Sequence, residues 1–167
     1  MQRVMIIGGP GSGKSWLADA LARRLNLPVI AIDDLLHDEG GRLRDGASID
    51  ADARQAALGE NWIIEGGNTR TYADRASRAD CVIRLRPPRA VRLCGVLRRG
   101  RVSWPLLWWT WRYDRDFELR DDAVLASVDG ALAFDLRSAK AVAAFLADFP
   151  CPSGRAPSPL SMGQNPV

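Results

Sequence analysis

The sequence predicts a three-layer α/β fold around a mostly parallel five-stranded sheet, and three observations predict it. Short apolar runs alternate with amphipathic segments along the chain. The runs are continuously apolar rather than apolar at every second residue, so both faces of their sheet are to be buried. A glycine-rich loop joins the first run directly to the first helical pattern. Parallel neighbours need crossover connections, and the helices that serve as crossovers cover both sides of the sheet.

Each element follows in order. RVMII at 3–7 is a β-branched run that reads as the first strand. After the loop, SWLADALARRL places Leu17, Ala18, Leu21, Ala22 and Leu25 on one helical face. LPVIAI at 27–32, NWIIE at 61–65 and DCVIRL at 80–85 read as the next three strands. Between them ADARQAAL at 51–58 and PRAVRLCGVLRR at 88–99 carry helical spacing, the latter with Pro88 suited to a first turn. GALAF at 130–134 is the fifth strand, and Val142, Phe145, Leu146 and Phe149 form the inner stripe of a last helix. The domain is expected to occupy 1–149, and the Pro-, Ser- and Gly-rich residues 150–167 to form a disordered tail.

At 167 residues the chain is long enough for one hydrophobic core. Cys81, Cys94 and Cys151 are odd in number and lack metal-ligand spacing, which excludes a disulfide framework or zinc site as the organising feature. No apolar run approaches the length needed to span a bilayer and no leader pattern is seen, so a cytoplasmic protein without a membrane partner is expected. The net charge of +3 is unevenly spread, because residues 70–112 hold 11 Arg against only Asp74 and Asp80. Such a segment attracts polyanions, either nucleotides, phosphorylated acceptors or nucleic acid.

GGPGSGKS at 8–15 satisfies the phosphate-loop pattern GxxxxGK followed by Ser or Thr, and a strand precedes it and a helix follows. At average composition a chance match in such a chain is on the order of one per cent. Lys14 and Lys140 are the only lysines among 23 basic residues, so the lysine at this position is informative. A slim ammonium fits between β- and γ-phosphates where a planar guanidinium does not. Gly8, Gly9, Pro10, Gly11, Ser12, Gly13, Lys14, Ser15 and Trp16 are therefore the expected nucleotide-binding stretch, with ATP and Mg²⁺ as cofactors. Asp33 and Asp34 after the second strand and Glu65 after the third stand where ligands gather in parallel sheets. Ser15 and Glu65 are the expected metal-side pair, and Asp33 and Asp34 the acceptor-side pair, although Asp34 equally suits a helix cap. A guanine-reading Asn-Lys-x-Asp motif is excluded because both lysines lie elsewhere.

Several segments resemble the adenylate kinase-related P-loop proteins known as DNA topology modulation proteins. NWIIEGGNTRT at 61–71 is similar to their Trp, apolar, apolar, Asp, Gly, Asn segment; VIAIDDLLH at 29–37 and WWTWRYDRD at 108–116 resemble their Leu-Asp step and Trp-rich helix. Glu65 stands where Asp is usual and Gly67 where Asn is usual. The resemblance implies a nucleoside monophosphate kinase-like P-loop NTPase fold with a short Arg-rich lid. LRRGR at 97–101 resembles the lid entry, so Arg98, Arg99 and Arg101 would close over the phosphates. Phosphoryl transfer independently calls for positive charge on an element that shields the reacting group. Arg70 is the candidate anchor of the acceptor, beside Gly66, and Arg137 is either an adenine contact or a helix start.

The expectation is an ATP-dependent phosphotransferase acting on a small acceptor, a nucleotide or related metabolite, with Lys14, Asp33, Glu65, Arg98 and Arg101 serving the transfer. The Asp33–Asp34 and Gly66–Gly67 pairs also resemble shikimate and gluconate kinases. The alternative is a nucleic acid-associated regulator that uses the basic segment and binds ATP as a switch. His37 is read as a packing or surface residue; the tryptophans of WPLLWWTW at 104–111 suit stacking on nucleobases, resting on a membrane surface or, the favoured reading, packing beneath the lid. Oligomeric state stays open.

Overall fold

The computed structural model describes residues 1–38, 40–98, 100, 103–128 and 130–149. Arg99, Arg101 and the residues from 150 onward, on which a lid and a tail were expected, lie outside the described residues.

Five strands form one wholly parallel sheet: β1 (Arg3–Gly8), β2 (Val29–Ala31), β3 (Trp62–Glu65), β4 (Cys81–Leu85) and β5 (Leu132–Leu136). Their order across the sheet is β2-β3-β1-β4-β5. Six α-helices connect and flank them: α1 (Lys14–Leu25), α2 (Gly46–Ala57), α3 (Tyr72–Ala76), α4 (Arg89–Arg98), α5 (Trp104–Ala126) and α6 (Ala139–Asp148). Two 3₁₀ turns, Ile32–Leu36 and Thr69–Thr71, follow β2 and precede α3.

Alternation along β1 sorts the core into two layers. Val4 and Ile6 point toward Leu17, Ala18 and Leu21 of α1 and Phe145 of α6. Met5 and Ile7 point the other way, toward Ala53 and Ala57 of α2, Tyr72 and Ala76 of α3, and Val124 of α5. All four β1 residues are fully buried, as a central parallel strand requires. Burial of each such aliphatic side chain stabilises the fold by about 1.5–3 kcal/mol.

The edges differ from the sequence expectation. β2 is three residues long, because Ile32 already begins the 3₁₀ turn; as an edge strand it leaves Val29 38 % exposed. β5 lies two residues later than expected, since Leu136 rather than the small residues at 130–131 pairs with Leu85. Cys81 is buried in β4, and burial, with the neighbouring Asp80 charge, pushes its thiol up to about 12. Among the described residues no helix is long and apolar enough to cross a membrane.

The tryptophans at 104–111 correct the packing expectation. They belong to the 23-residue α5, and Trp104, Trp108, Trp109 and Trp111 are 78, 54, 45 and 51 % exposed. α5 buries Thr110, Tyr113, Asp121 and Val124 instead.

Candidate active site at the phosphate loop

Parallel register brings the carboxyl ends of β1, β2 and β3 to one edge. Ile6 pairs with Glu65 and Ala31 pairs with Glu65, so Gly8, Asp33 and Glu65 surround the start of α1. Side-chain oxygens cap α2, α5 and α6, from Asp45, Ser103 and Ser138. Gly13 caps α1 and supplies no side chain. The first amides of α1 are thereby left for an anionic ligand, where the helix dipole favours negative charge.

Gly8, Gly11 and Gly13 all adopt positive φ, which turns successive N–H groups inward. Gly11 is doubly constrained: its φ is +71° and a β-carbon there would lie 2.1 Å from the Arg92 carbonyl oxygen. α4 presses against the loop from the far side. A β-carbon on Gly95 would lie 2.5 Å from the Gly11 carbonyl oxygen, and the Arg92 guanidinium lies against Gly9. Arg92 is buried, donates from Nη2 to Asp114 Oδ1 at 2.6 Å, and lies over the Tyr113 ring.

Lys14 Nζ donates to the Gly9 carbonyl at 3.1 Å, folding the ammonium over the loop. Ser15 Oγ donates to Glu65 Oε1 at 2.8 Å, and Glu65 is 5 % exposed. A hydroxyl and a buried carboxylate at the mouth of an amide cradle are hard oxygen donors of the kind Mg²⁺ takes beside phosphate oxygens. Among the described residues no cluster of three or more His, Cys, Asp or Glu is arranged to hold a metal. Ser15 and Glu65 thus fit a nucleotide-borne ion rather than a protein cage.

A cavity of about 420 Å³ opens from this pair. Gly8, Pro10, Lys14, Ser15 and Glu65 line one end; Asp33, Gly67, Asn68 and Arg70 line the other. Its wall is apolar, with the rings of Tyr72, Trp109, Tyr113 and Phe117 beside Ile32, Leu36, Ile49, Val96 and Leu106. Tyr113 and Phe117 stack at 5.1 Å between centroids, and Trp109 meets Tyr113 edge-on at 6.2 Å. Arg70 Nε donates to Asp50 Oδ2 at 2.7 Å, and Asn68 Nδ2 donates to Asp50 Oδ1 at 2.8 Å. The hydrogen bond from Arg70 holds the Asp50 carboxyl below its ordinary range and in turn raises the guanidinium. Behind them Arg75, fully buried, donates to the carbonyls of Gly66, Gly67 and Asn68 and fixes the loop after β3. Burial lowers its pKa to about 10, which leaves it charged at neutral pH.

Beneath the loop, Tyr113 Oη donates to Asp121 Oδ2 at 3.2 Å. Burial is the main cause that raises Asp121 above the ordinary carboxylate value, and burial likewise raises the phenols of Tyr72 and Tyr113. These groups form the floor beneath the loop.

A second cavity, of about 210 Å³, lies on the other side of the loop. Ser12, Gly13, Trp16, Pro87, Val91 and Val142 are among its lining residues, and its apolar walls suit a nucleobase. Trp16 is 60 % exposed at its rim.

Asp33 and Arg70 therefore share the loop's cavity, whereas Asp34, Gly66, Arg98 and Arg137 do not line it. Arg137 is ion-paired with Asp135 at 2.8 Å, Arg98 ends α4, and His37 forms an isolated bridge with Leu43. Sequence reasoning missed Arg92, Gly95, Arg75, Asp50 and the aromatic wall. The spacing of Trp109, Tyr113 and Phe117, four residues apart, is the one local signal that pointed to the wall.

No family model and no curated protein matches the chain. Solved structures do. A shikimate kinase from Acinetobacter baumannii in complex with shikimate superposes with a TM-score of 0.61 at 14 % identity, covering 88 % of this chain and 89 % of that one. A shikimate kinase from Bacteroides thetaiotaomicron gives 0.58 at 17 %, covering 87 % and 94 %. A gluconokinase from Sinorhizobium meliloti 1021 gives 0.54 at 19 %, covering 87 % and 91 %. At these identities the likeness is one of architecture: the chain shares its fold with these shikimate kinases and this gluconokinase.

Proposed function

We propose that the chain is an ATP-dependent kinase that transfers the γ-phosphoryl group to a small acceptor. The observation that carries this reading is the single cavity joining Lys14, Ser15 and Glu65 to Asp33 and Arg70. Lys14 and the loop amides would hold the β- and γ-phosphates, and Ser15 with Glu65 would hold Mg²⁺, which offsets charge on the transferring group. Asp33 would orient the acceptor and, where the attacking group is a hydroxyl, take its proton; Arg70 would engage an anionic group of the acceptor, which in a nucleoside monophosphate is the attacking phosphate. Arg98, Arg99 and Arg101 would supply lid charge, and Trp16 and Arg137 would flank the base.

A nucleotide is the acceptor this reading favours. Four aromatic rings beside an arginine suit a planar base joined to a phosphate better than they suit a polyol. Likeness to the adenylate kinase-related proteins supports the same class. A shikimate- or gluconate-type acceptor is the second reading, favoured by the architecture of the solved neighbours. The nucleic acid regulator is less well supported, because much of the basic segment is used internally. Arg75, Arg84 and Arg92 are buried, and Arg86 is paired with Glu118 and Asp135 within the chain.

The test is ADP release from MgATP in the presence of nucleoside monophosphates, shikimate and gluconate in turn. Stimulation by a nucleoside monophosphate is the expected result; stimulation by a polyol acid alone moves the assignment to the second reading. A Lys14→Ala variant that turns over as the parent does would reject the kinase reading itself.

A further inference from the structure

The α4–α5 hairpin is apolar on two sides, and only one of them serves the site. α4 turns Arg92, Gly95 and Val96 toward the phosphate loop and the main cavity. On its outer side Leu93 and Leu97 meet Trp104, Leu107, Trp108 and Trp111 of α5 around an open groove of about 400 Å³. The spacing 104, 107, 108, 111 makes one continuous stripe along α5. Trp62 is the only one of the chain's six tryptophans in the core, so the exposure of the stripe does not reflect tryptophans placed without pattern.

A collar of arginine surrounds the stripe. The Arg89 guanidinium lies 5.5 Å from the Trp111 ring and that of Arg112 lies 5.6 Å from the Trp108 ring. Asp114 and Asp116 pair with these two arginines. With the buried Arg92 and the internally paired Arg86 set aside, Arg89, Arg98, Arg112 and Arg115 stand against Asp114 and Asp116, an excess of two positive charges among the described residues of the ledge. Arg98 is exposed beside Leu97.

We propose that this tryptophan ledge seats the chain on an anionic lipid surface. Tryptophan and arginine are the side chains that settle at the boundary between headgroups and acyl chains, one through its amphipathic ring and the other through its apolar stem. Excess positive charge then adds attraction to acidic headgroups. A second copy of the chain fits the ledge less well, because pairing two ledges would bring two arginine collars together. Docking would also act on the other side of α4, which rests on Gly11, so it would couple surface binding to the phosphate loop. The inference is independent of the kinase reading.

Flotation of the full chain with phosphatidylcholine vesicles, and with vesicles containing about 30 % phosphatidylglycerol, tests it. The acidic vesicles should carry the protein upward, blue-shift its tryptophan emission and, when their acyl chains are brominated, quench it. Affinity for neutral vesicles should be weaker by about tenfold or more, and added salt should reduce the difference. The double variant Trp104→Gln/Trp108→Gln should lose flotation by a similar factor while its circular dichroism and ATP uptake match the parent. Leu119→Gln, at a site 81 % exposed elsewhere on α5, should float normally. Absence of flotation and quenching in the unaltered chain overturns the proposal even if the double variant folds poorly. Equal flotation of the double variant also overturns it. A concentration-dependent dimer that resists vesicles and is dissolved by the double substitution assigns the ledge to a second copy instead.

Discussion

Ser15 and Glu65 stand 50 positions apart in sequence and meet through a 2.8 Å hydrogen bond at the mouth of the loop. Glu65→Gln keeps an oxygen that accepts from Ser15 but removes the charge that favours a cation. The Mg²⁺ concentration for half-maximal ADP release should rise by about 10–100-fold, with ATP affinity in metal-free buffer unchanged. An unaltered magnesium demand would remove Glu65 from the metal side. At this scale the sequence was informative wherever the signal is local. Lys14 and Ser15 follow from an eight-residue pattern whose chemistry is complete in itself. Arg70 was legible as a basic residue near the acceptor, but its bond to Asp50 was not, since the two approach only through the packing of α2 against the turn before α3. Arg92 and Arg75 read as part of a basic segment that attracts polyanions; both are buried, held by a carboxylate and by backbone carbonyls respectively.

Helix α4 acts on the site through its backbone as much as its side chains. Gly95 is where α4 comes closest to the loop, and an added β-carbon would meet the Gly11 carbonyl oxygen at 2.5 Å. Alanine is the better helix former by about 1 kcal/mol, so loss of helicity cannot explain a defect at this position. Gly95→Ala should therefore weaken MgATP binding on the order of tenfold, measured by calorimetry, through displacement of the loop. Unchanged affinity would show that the loop yields without consequence. The central strands and α1 were readable because continuous apolar runs and helical spacing report burial directly. β2 and β5 were misjudged at their ends because edge strands are half exposed and their limits are set by a single neighbour. The length and packing of α5 were missed because its outward tryptophans blur the periodicity that marks a buried face.

Across the whole molecule, carboxyl groups act on stability with opposite signs. Burial works against the charged form of Asp80, but hydrogen bonds from Gln2 N at 2.7 Å and from the Arg3 backbone and side chain outweigh it and hold the carboxyl below its ordinary value. A carboxyl lowered by folding stabilises the fold above its unfolded pKa, and that contribution is lost as pH falls through the folded value. Asp121 is raised, so its contribution is full at low pH and is lost as pH rises through its elevated folded value. Urea midpoints followed with pH should drop on the acid side for the parent, and Asp80→Asn should flatten that limb while lowering neutral stability by about 1 kcal/mol. An unchanged acid limb would show that the tie between the starts of β1 and β4 does not contribute. The parallel α/β architecture was legible from alternation alone, whereas the strand order was not, because it is decided by pairings between distant segments. Everything proposed for function depends on the loop between β1 and α1 holding a polyphosphate. Calorimetric titration of the folded 167-residue chain with ATP and Mg²⁺ tests this most directly: a single saturable site that disappears in Lys14→Ala is the predicted result, and absence of binding by either ATP or GTP would contradict it.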